Sequence, residues 1–280
     1  MKIDGRTELI AHLGWPTHAF KAPMIYNPWF AAAGVNALVV PMGCKAENFA
    51  EVLAGVFRLE NVRGALITMP HKVRVVDLVD EVTPAVKVAG SCNAVKRLPD
   101  GRLLGDMFDG EGFVRGLQRK GLVLRGARAL VVGSGGVGSA IAASLAAAGV
   151  GALALFDVDT AASERLAARL REHQAAVAVS TGSRDPEGFD LVVNATPLGM
   201  ETGDPLPVDV DRIAPGAFVG EVVMKAERTP FVAAALARGC RVQVGTDMLF
   251  EMIPPYLEFF GFPTTTPETL RGLAQLEYGP

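Results

Sequence analysis

Gly133-Ser134-Gly135-Gly136-Val137-Gly138 follows the apolar run 127–132 and opens an alanine-rich segment, which places a G-x-G-x-x-G between a strand and a helix. In that context the first glycine permits a tight turn, and the second lets backbone N–H groups approach a pyrophosphate. The third lets helix and strand pack closely, and the helix N-terminus adds about half a positive charge toward the phosphates. The next strand ends in Phe156-Asp157, about 20 residues on, where an acid accepts hydrogen bonds from an adenine ribose. A 2′-phosphate would meet that carboxylate, and the residues that follow, Val158, Asp159 and Thr160, include no arginine. The sequence therefore predicts NAD over NADP. Asn194-Ala195-Thr196-Pro197-Leu198-Gly199-Met200 ends a further strand, 190–193. Its small and polar residues, with Pro197 fixing φ, suit a loop near the nicotinamide end, so Asn194, Thr196 and Pro197 join the glycine loop and Asp157 as expected cofactor residues.

An enzyme that oxidises an alcohol with such a cofactor needs a side chain to take the hydroxyl proton. Lys72, in Thr68-Met69-Pro70-His71-Lys72, follows a short buried strand at a strand-to-helix turn, and Asp109, in Gly105-Asp106-Met107-Phe108-Asp109-Gly110, lies at the expected domain junction. From the local sequence alone, each is also compatible with a plain structural role: a solvated lysine at a helix start, an acid in a glycine turn.

These residues need a scaffold of alternating strands and helices. At ~150 residues per domain, 280 residues make about two domains. Short apolar runs at 35–40 and 64–68 alternate with helix-like stretches at 46–57 and 72–79, and 91–97 with 102–104 form two strands joined by the Asp100-Gly101 turn. After residue 106 longer units follow: helix 112–120, strand 128–132, helix 137–148, strand 152–157, helix 161–173 and strands 176–180 and 190–194. Such alternation implies parallel pairing with right-handed crossovers. The tail 248–257 reads as a helix interrupted by Pro254-Pro255, and another begins at Pro267. The class is α/β.

Composition narrows the partners. A formal charge of −3, from 27 basic and 30 acidic residues, supplies no basic stripe for nucleic acid. No apolar stretch reaches the ~20 residues of a spanning helix, and the N-terminus has no apolar signal core, so neither a membrane nor a secretory route is expected and a cytoplasmic address follows. Three cysteines (Cys44, Cys92, Cys240) and four histidines (His12, His18, His71, His173) lie scattered without metal-ligand spacing, so no metal is expected.

Taken together, the motifs resemble the shikimate/quinate dehydrogenase family over nearly the whole chain. Thr68–Lys72 looks like its N-V-T-x-P-x-K, Gly90-Ser91-Cys92-Asn93-Ala94 like G-A-x-N-T, and 100–110 like D-G-x-L-x-G-x-N-T-D-G. The glycine loop, 194–200 for N-A-T-x-x-G-M, Thr229-Pro230-Phe231 for T-P-F/L and 245–249 for G-x-x-M-L follow in order. The resemblance implies a catalytic Lys72 and Asp109 in a cleft between a substrate domain (1–108 plus 245–280, with a mostly parallel sheet) and a Rossmann NAD(P)-binding domain (109–244). Thr68 and Asn93 would contact substrate, and the C-terminal helices would return to the first domain. A small molecule is the implied partner, and a homodimer is compatible with it.

The departures cluster on substrate positions. The family's H-S-x-S-P stands here as Ala19-Phe20-Lys21-Ala22-Pro23, so Phe20 and Ala22 replace the serines expected to hold a carboxylate. Leu66 replaces an asparagine, Ala94 a threonine and Met107-Phe108 an N-T pair, while Met224 and Met252 replace a tyrosine and a glutamine. Each lost hydrogen bond leaves a polar substrate group unpaired at ~1–3 kcal/mol. The expected activity is reversible hydride transfer between nicotinamide and a secondary alcohol of a cyclic hydroxy acid or related compound. That compound carries fewer polar groups than shikimate, and His18, Lys21 or His71 could supply a replacement anion contact. The alternatives are a true shikimate or quinate dehydrogenase with a rearranged carboxylate site, and an NAD-binding sensor without catalysis.

Overall fold

A computed structural model describes residues 3–276. The chain divides into two units. The first holds the chain up to Lys87, Ser91–Phe108 and the chain from Ile253; the second holds Val88–Gly90 and Asp109–Met252.

The first unit is built from β1 (Glu8–Gly14), α1 (Pro23–Ala32), β2 (Ala37–Gly43), α2 (Phe49–Val56), β3 (Val62–Ile67), β4 (Glu81–Val82), most of α3 (Pro84–Ala89), β5 (Ala94–Arg97) and β6 (Leu103–Asp106). Its sheet has the order β2-β1-β3-β5-β6-β4. The β2-β1-β3 half is parallel, whereas β5 runs antiparallel to both β3 and β6, so the sheet is mixed. Strand β1, flanked on both sides, is buried at Ile10, Ala11 and Leu13, as an inner parallel strand must be. At the edge, the Asn27 side chain of α1 both donates to and accepts from the Val39 backbone of β2, at 3.1 and 2.8 Å, and so covers ladder groups that would otherwise face solvent. The Asp100-Gly101 turn joins β5 to β6, with Gly101 at φ +92°.

The helix expected over 72–79 is only a 3-10 turn, Arg74–Leu78. Of its residues only Val75 is buried, and β-branched residues are poor helix formers, so nothing extends the turn.

The second unit contains α4 (Asp109–Arg119), β7 (Arg128–Val132), α5 (Gly136–Ala147), β8 (Ala152–Phe156), α6 (Thr160–His173), β9 (Ala178–Thr181), β10 (Leu191–Asn194), β11 (Phe218–Glu221), α7 (Pro230–Ala237), β12 (Arg241–Gln243) and the start of α8 (Gly245–Phe260). Its sheet, β12-β11-β10-β7-β8-β9, is parallel throughout. From β7 the chain winds one way to β9, then returns to β10 and winds the other way. This topological switch beside β7 is where doubly wound sheets bind nucleotides. Leu130, Val192, Val219, Ile213 and Phe231 fill the core on one face.

Helix α8 runs unbroken through Pro254-Pro255, where an interruption was expected. Proline removes the N–H that would reach back one turn; here buried Met248, Leu249, Ile253 and Leu257 hold the helix on both sides of that gap. The unit boundary falls just before the prolines, at Met252/Ile253, rather than at residue 245. The reason lies in side chains: on the first half of α8, Glu251 pairs with Arg119 and Asp247 with Lys120 (2.7 Å), both partners belonging to the second unit. Helix α9 (Pro267–Leu273) then closes the first unit against α1.

Candidate functional site

In the second unit the glycine loop spans the gap from β7 to α5. Gly133 has φ +105°, and a Cβ there would stand 2.5 Å from the Ala195 carbonyl, so both backbone shape and the neighbouring loop demand glycine. A Cβ at Gly135 would meet nothing within 4 Å, and as the N-cap of α5 this glycine brings no side chain of its own to the helix start. The loop thus leaves open space before a helix N-terminus, which fits a dinucleotide pyrophosphate. The Ser134 Oγ is buried without a partner. Val137 and Gly138 complete the first turn of α5, Gly138 packing against Gly133 and Ala195. The Asp157 carboxylate follows β8 and accepts from the Ser134 N–H at 2.6 Å and the Asp159 N–H at 2.9 Å, so it shapes the loop.

The loop after β10 is organised from within. Asn194, fully buried, donates through Nδ2 to the Leu198 carbonyl at 2.9 Å and to both oxygens of Glu221 at 3.0 and 3.2 Å. Its Oδ1 accepts from the Thr196 N–H (3.1 Å) and Oγ1 (2.6 Å). Glu221, at the end of β11, also accepts from the Val222 and Val223 N–H groups and from the Thr229 hydroxyl (2.8 Å). Burial pushes its carboxyl above the usual range, and these hydrogen bonds pull the other way. Asn194 and Thr196 therefore spend their polar atoms on holding the loop, leaving backbone and the exposed Pro197 on its outer side. Sequence reasoning missed Glu221, although an acid ending an apolar strand was a visible signal.

Asp109 begins α4 and is buried, where the helix dipole favours an anion. Met224 lies half-buried beside Gly245, and Met252, also half-buried, packs on Gly112 of α4.

In the first unit Lys72 is half-buried, and its carbonyl accepts the Cys92 N–H at 2.7 Å. That bond ties the lysine turn to the segment carrying Asn93. Asn93 is buried; its backbone bridges Ile67 of β3 and Asp106 of β6, and its Oδ1 accepts the Phe108 N–H at 3.0 Å. With the carbonyl side so fixed, the amide nitrogen points elsewhere, and it has no partner among the described residues. The Tyr256 hydroxyl, a residue the sequence did not single out, donates to the Asn93 carbonyl at 3.3 Å. Half-buried Thr68 immediately follows β3, and its N–H donates to the Leu13 carbonyl at 2.9 Å.

Phe20 is buried and stacks on His12 at 4.1 Å, and Ala22 is buried at the start of α1. Phe108 packs with Tyr256 and Phe259 in an aromatic cluster, at 4.6 and 5.5 Å. His71 does not supply an anion contact: it is buried, its Nε2 lies 2.7 Å from the Cys44 carbonyl, and its ring stacks on Phe49 at 4.0 Å. Burial pushes the Cys92 thiol up to about 12, which makes it inert at neutral pH. Among the described residues no three His, Cys, Asp or Glu side chains converge as a metal site, and no helix is long and apolar enough to cross a membrane.

Residues 13–95 match the model of the shikimate dehydrogenase substrate binding domain, and residues 115–175 match that of the ThiF family. The shikimate dehydrogenase (NADP(+)) of Rubrobacter xylanophilus is 36% identical over 252 residues, covering 89% of this chain and 88% of the relative. The quinate dehydrogenase of Corynebacterium glutamicum, solved with NAD, shares the fold with a TM-score of 0.84 at 28% identity, covering 95% of this chain and 98% of that one. The ligand-free 5-ketofructose reductase of Gluconobacter sp. strain CHM43 gives 0.86 at 25% identity, over 96% and 98%.

Proposed function

The chain belongs to the shikimate dehydrogenase family and is an NAD(P)-dependent dehydrogenase acting on CH–OH groups; from that premise we propose that it prefers NAD and acts on a cyclic hydroxy compound with fewer polar groups than shikimate. The observation that carries the substrate reading is the buried Phe20 ring, stacked on His12 where the family's motif has a serine hydroxyl. A carboxylate brought against phenylalanine and Leu66 loses its hydration without repayment.

The NAD preference rests on Asp157. Its carboxylate is held by the Ser134 and Asp159 N–H groups, so it cannot swing aside for a 2′-phosphate without releasing the glycine loop. A like-charge approach there is repulsive. The first unit serves as the substrate domain and the second as the dinucleotide domain, the latter binding through Gly133–Gly138, Asp157 and the loop shaped by Asn194, Thr196 and Pro197.

When bound, the nicotinamide supplies a hydride acceptor. Lys72 takes the proton leaving the substrate hydroxyl and returns it when a ketone is reduced, Asp109 accepts a hydrogen bond from that hydroxyl and orients it, and Asn93 donates from Nδ2 to a neighbouring substrate oxygen. Thr68 contributes a hydroxyl, and Met224 and Met252 contribute apolar surface.

A second reading, a true shikimate dehydrogenase using NADP, is favoured by the name of the 36%-identical relative. Steady-state kinetics with shikimate, quinate and neutral alicyclic alcohols, each with NAD and NADP, separate the two. The proposal expects kcat/KM at least ten times higher with NAD, and weak turnover of shikimate. A micromolar KM for shikimate with NADP overturns it.

A further inference from the structure

Strand β1 is apolar at Leu9, Ile10, Ala11 and Leu13, with one polar interruption at His12. His12 pairs in register with Leu66 of β3, and Leu66 pairs in turn with Ala94 of β5. Register partners project from the same face of a sheet. The three form a row in which Leu66 and Ala94 both stand where the family motif has a polar residue. Phe20, a third such position, stacks on the imidazole at 4.1 Å and 27°. Lys72 lies close enough for its charge to add to burial in pushing the imidazole down to about 3.

His12 is 8% exposed, and its Nδ1 has no hydrogen-bond partner among the described residues. An unpaired buried nitrogen is destabilising, a cost that a leucine or valine in β1 would avoid. The Asn93 Nδ2 of the same unit is orphaned in the same way. Two unsatisfied polar atoms, in residues flanking the lysine turn, are what a site looks like when its remaining partners come with the ligand.

We propose that His12 is a specificity-determining residue that hydrogen-bonds an uncharged oxygen of the substrate, a hydroxyl or carbonyl, in place of the carboxylate that the lost serines would hold. This rests on the dehydrogenase reading above and names its substrate class. A neutral imidazole offers one donor and one acceptor, which suits a hydroxyl or a carbonyl and provides no counter-charge for an anion. The 5-ketofructose reductase of like fold acts, by its name, on a compound without a carboxylate.

Shikimate and its methyl ester test this, because they share ring and hydroxyls and differ in charge at one end. Binding is followed calorimetrically in the presence of NAD, and oxidation by NADH formation, for the wild type, His12→Leu and His12→Asn. The expected result is at least tenfold tighter binding of the ester than of the acid by the wild type. Ester binding is expected to weaken about tenfold in His12→Leu and to recover in His12→Asn, with the KM for NAD unchanged in both. The inference is overturned by tighter binding of the acid, by equal ester binding in wild type and His12→Leu, or by no binding of either ligand. If the binding pattern holds but the wild type oxidises neither compound, the reading of the substrate as a cyclic hydroxy compound fails while the His12 contact stands.

Discussion

Two polar regions of this molecule are built on opposite terms. Around Asn194, Glu221 and Thr229 in the second unit, every side-chain polar group is answered by another group of the chain. Around His12 and Asn93 in the first, buried nitrogens have no partner among the described residues. A closed network holds backbone in one shape whatever the ligand, whereas an open one assigns part of its bonding to the molecule that binds. The first arrangement suits a loop that serves an invariant cofactor, and the second suits a surface that selects a substrate.

Breaking the open region should cost most in chemistry. Lys72→Ala is expected to lower kcat by about 10³-fold and leave the Kd for NAD, measured by fluorescence titration, within twofold. A loss confined to NAD affinity would move Lys72 to the cofactor side of the comparison. Breaking the closed region should cost stability instead. Glu221→Ala unpairs two backbone N–H groups and the side chains of Asn194 and Thr229. It should destabilise by about 3 kcal/mol in urea titration, and an unchanged midpoint would show that water replaces the carboxylate at no cost.

A smaller effect is expected at Asp157. Its replacement by alanine removes the 2.6 Å bond to Ser134 and should raise the KM for NAD about 30-fold, with no gain of NADP activity. NADP turnover matching that of wild type with NAD would show that charge alone sets the preference.

The smallest effect is a difference of slopes with pH. Burial and Lys72 lower the His12 pKa from 6.5 to about 3, so its contribution to stability is present above pH 6.5 and is lost as pH falls. Burial raises the Glu221 pKa above 4.5, so its contribution is present below that pH and is lost as pH rises through the folded value. Below pH 6.5 wild-type stability relative to His12→Asn should rise with pH, and from pH 4.5 upward stability relative to Glu221→Gln should fall until the folded-state pKa is passed. Each slope is at most about 1.4 kcal/mol per pH unit. Parallel slopes would remove the distinction between the two regions.

Much of the second unit was legible because its signals are local. The strand at 128–132, the glycine loop, the helix after it and the acid at 157 follow one another within one βαβ unit, so periodicity and turn chemistry suffice to find them. The first unit was less so. Tandem prolines suggested a break in α8 that buried neighbours prevent, and apolar spacing at 72–79 suggested a helix where only a 3-10 turn forms. The roles of His12 and Glu221 were hidden for a different reason. His12 takes its place beside Leu66 of β3 and Glu221 beside Asn194 of β10, partners on other strands far off in sequence, and single-sequence patterns do not carry strand register across such distances.

The carboxylate of Asp157 closes one bond to the glycine loop. Under the NAD preference proposed above, cofactor choice is therefore not an isolated trait that can be exchanged at one codon. An evolutionary or engineered path to a phosphorylated dinucleotide has to supply a new donor-acceptor pair for the Ser134 backbone first and a cation second. Taken in the reverse order, the same two changes pass through a protein that holds neither cofactor well.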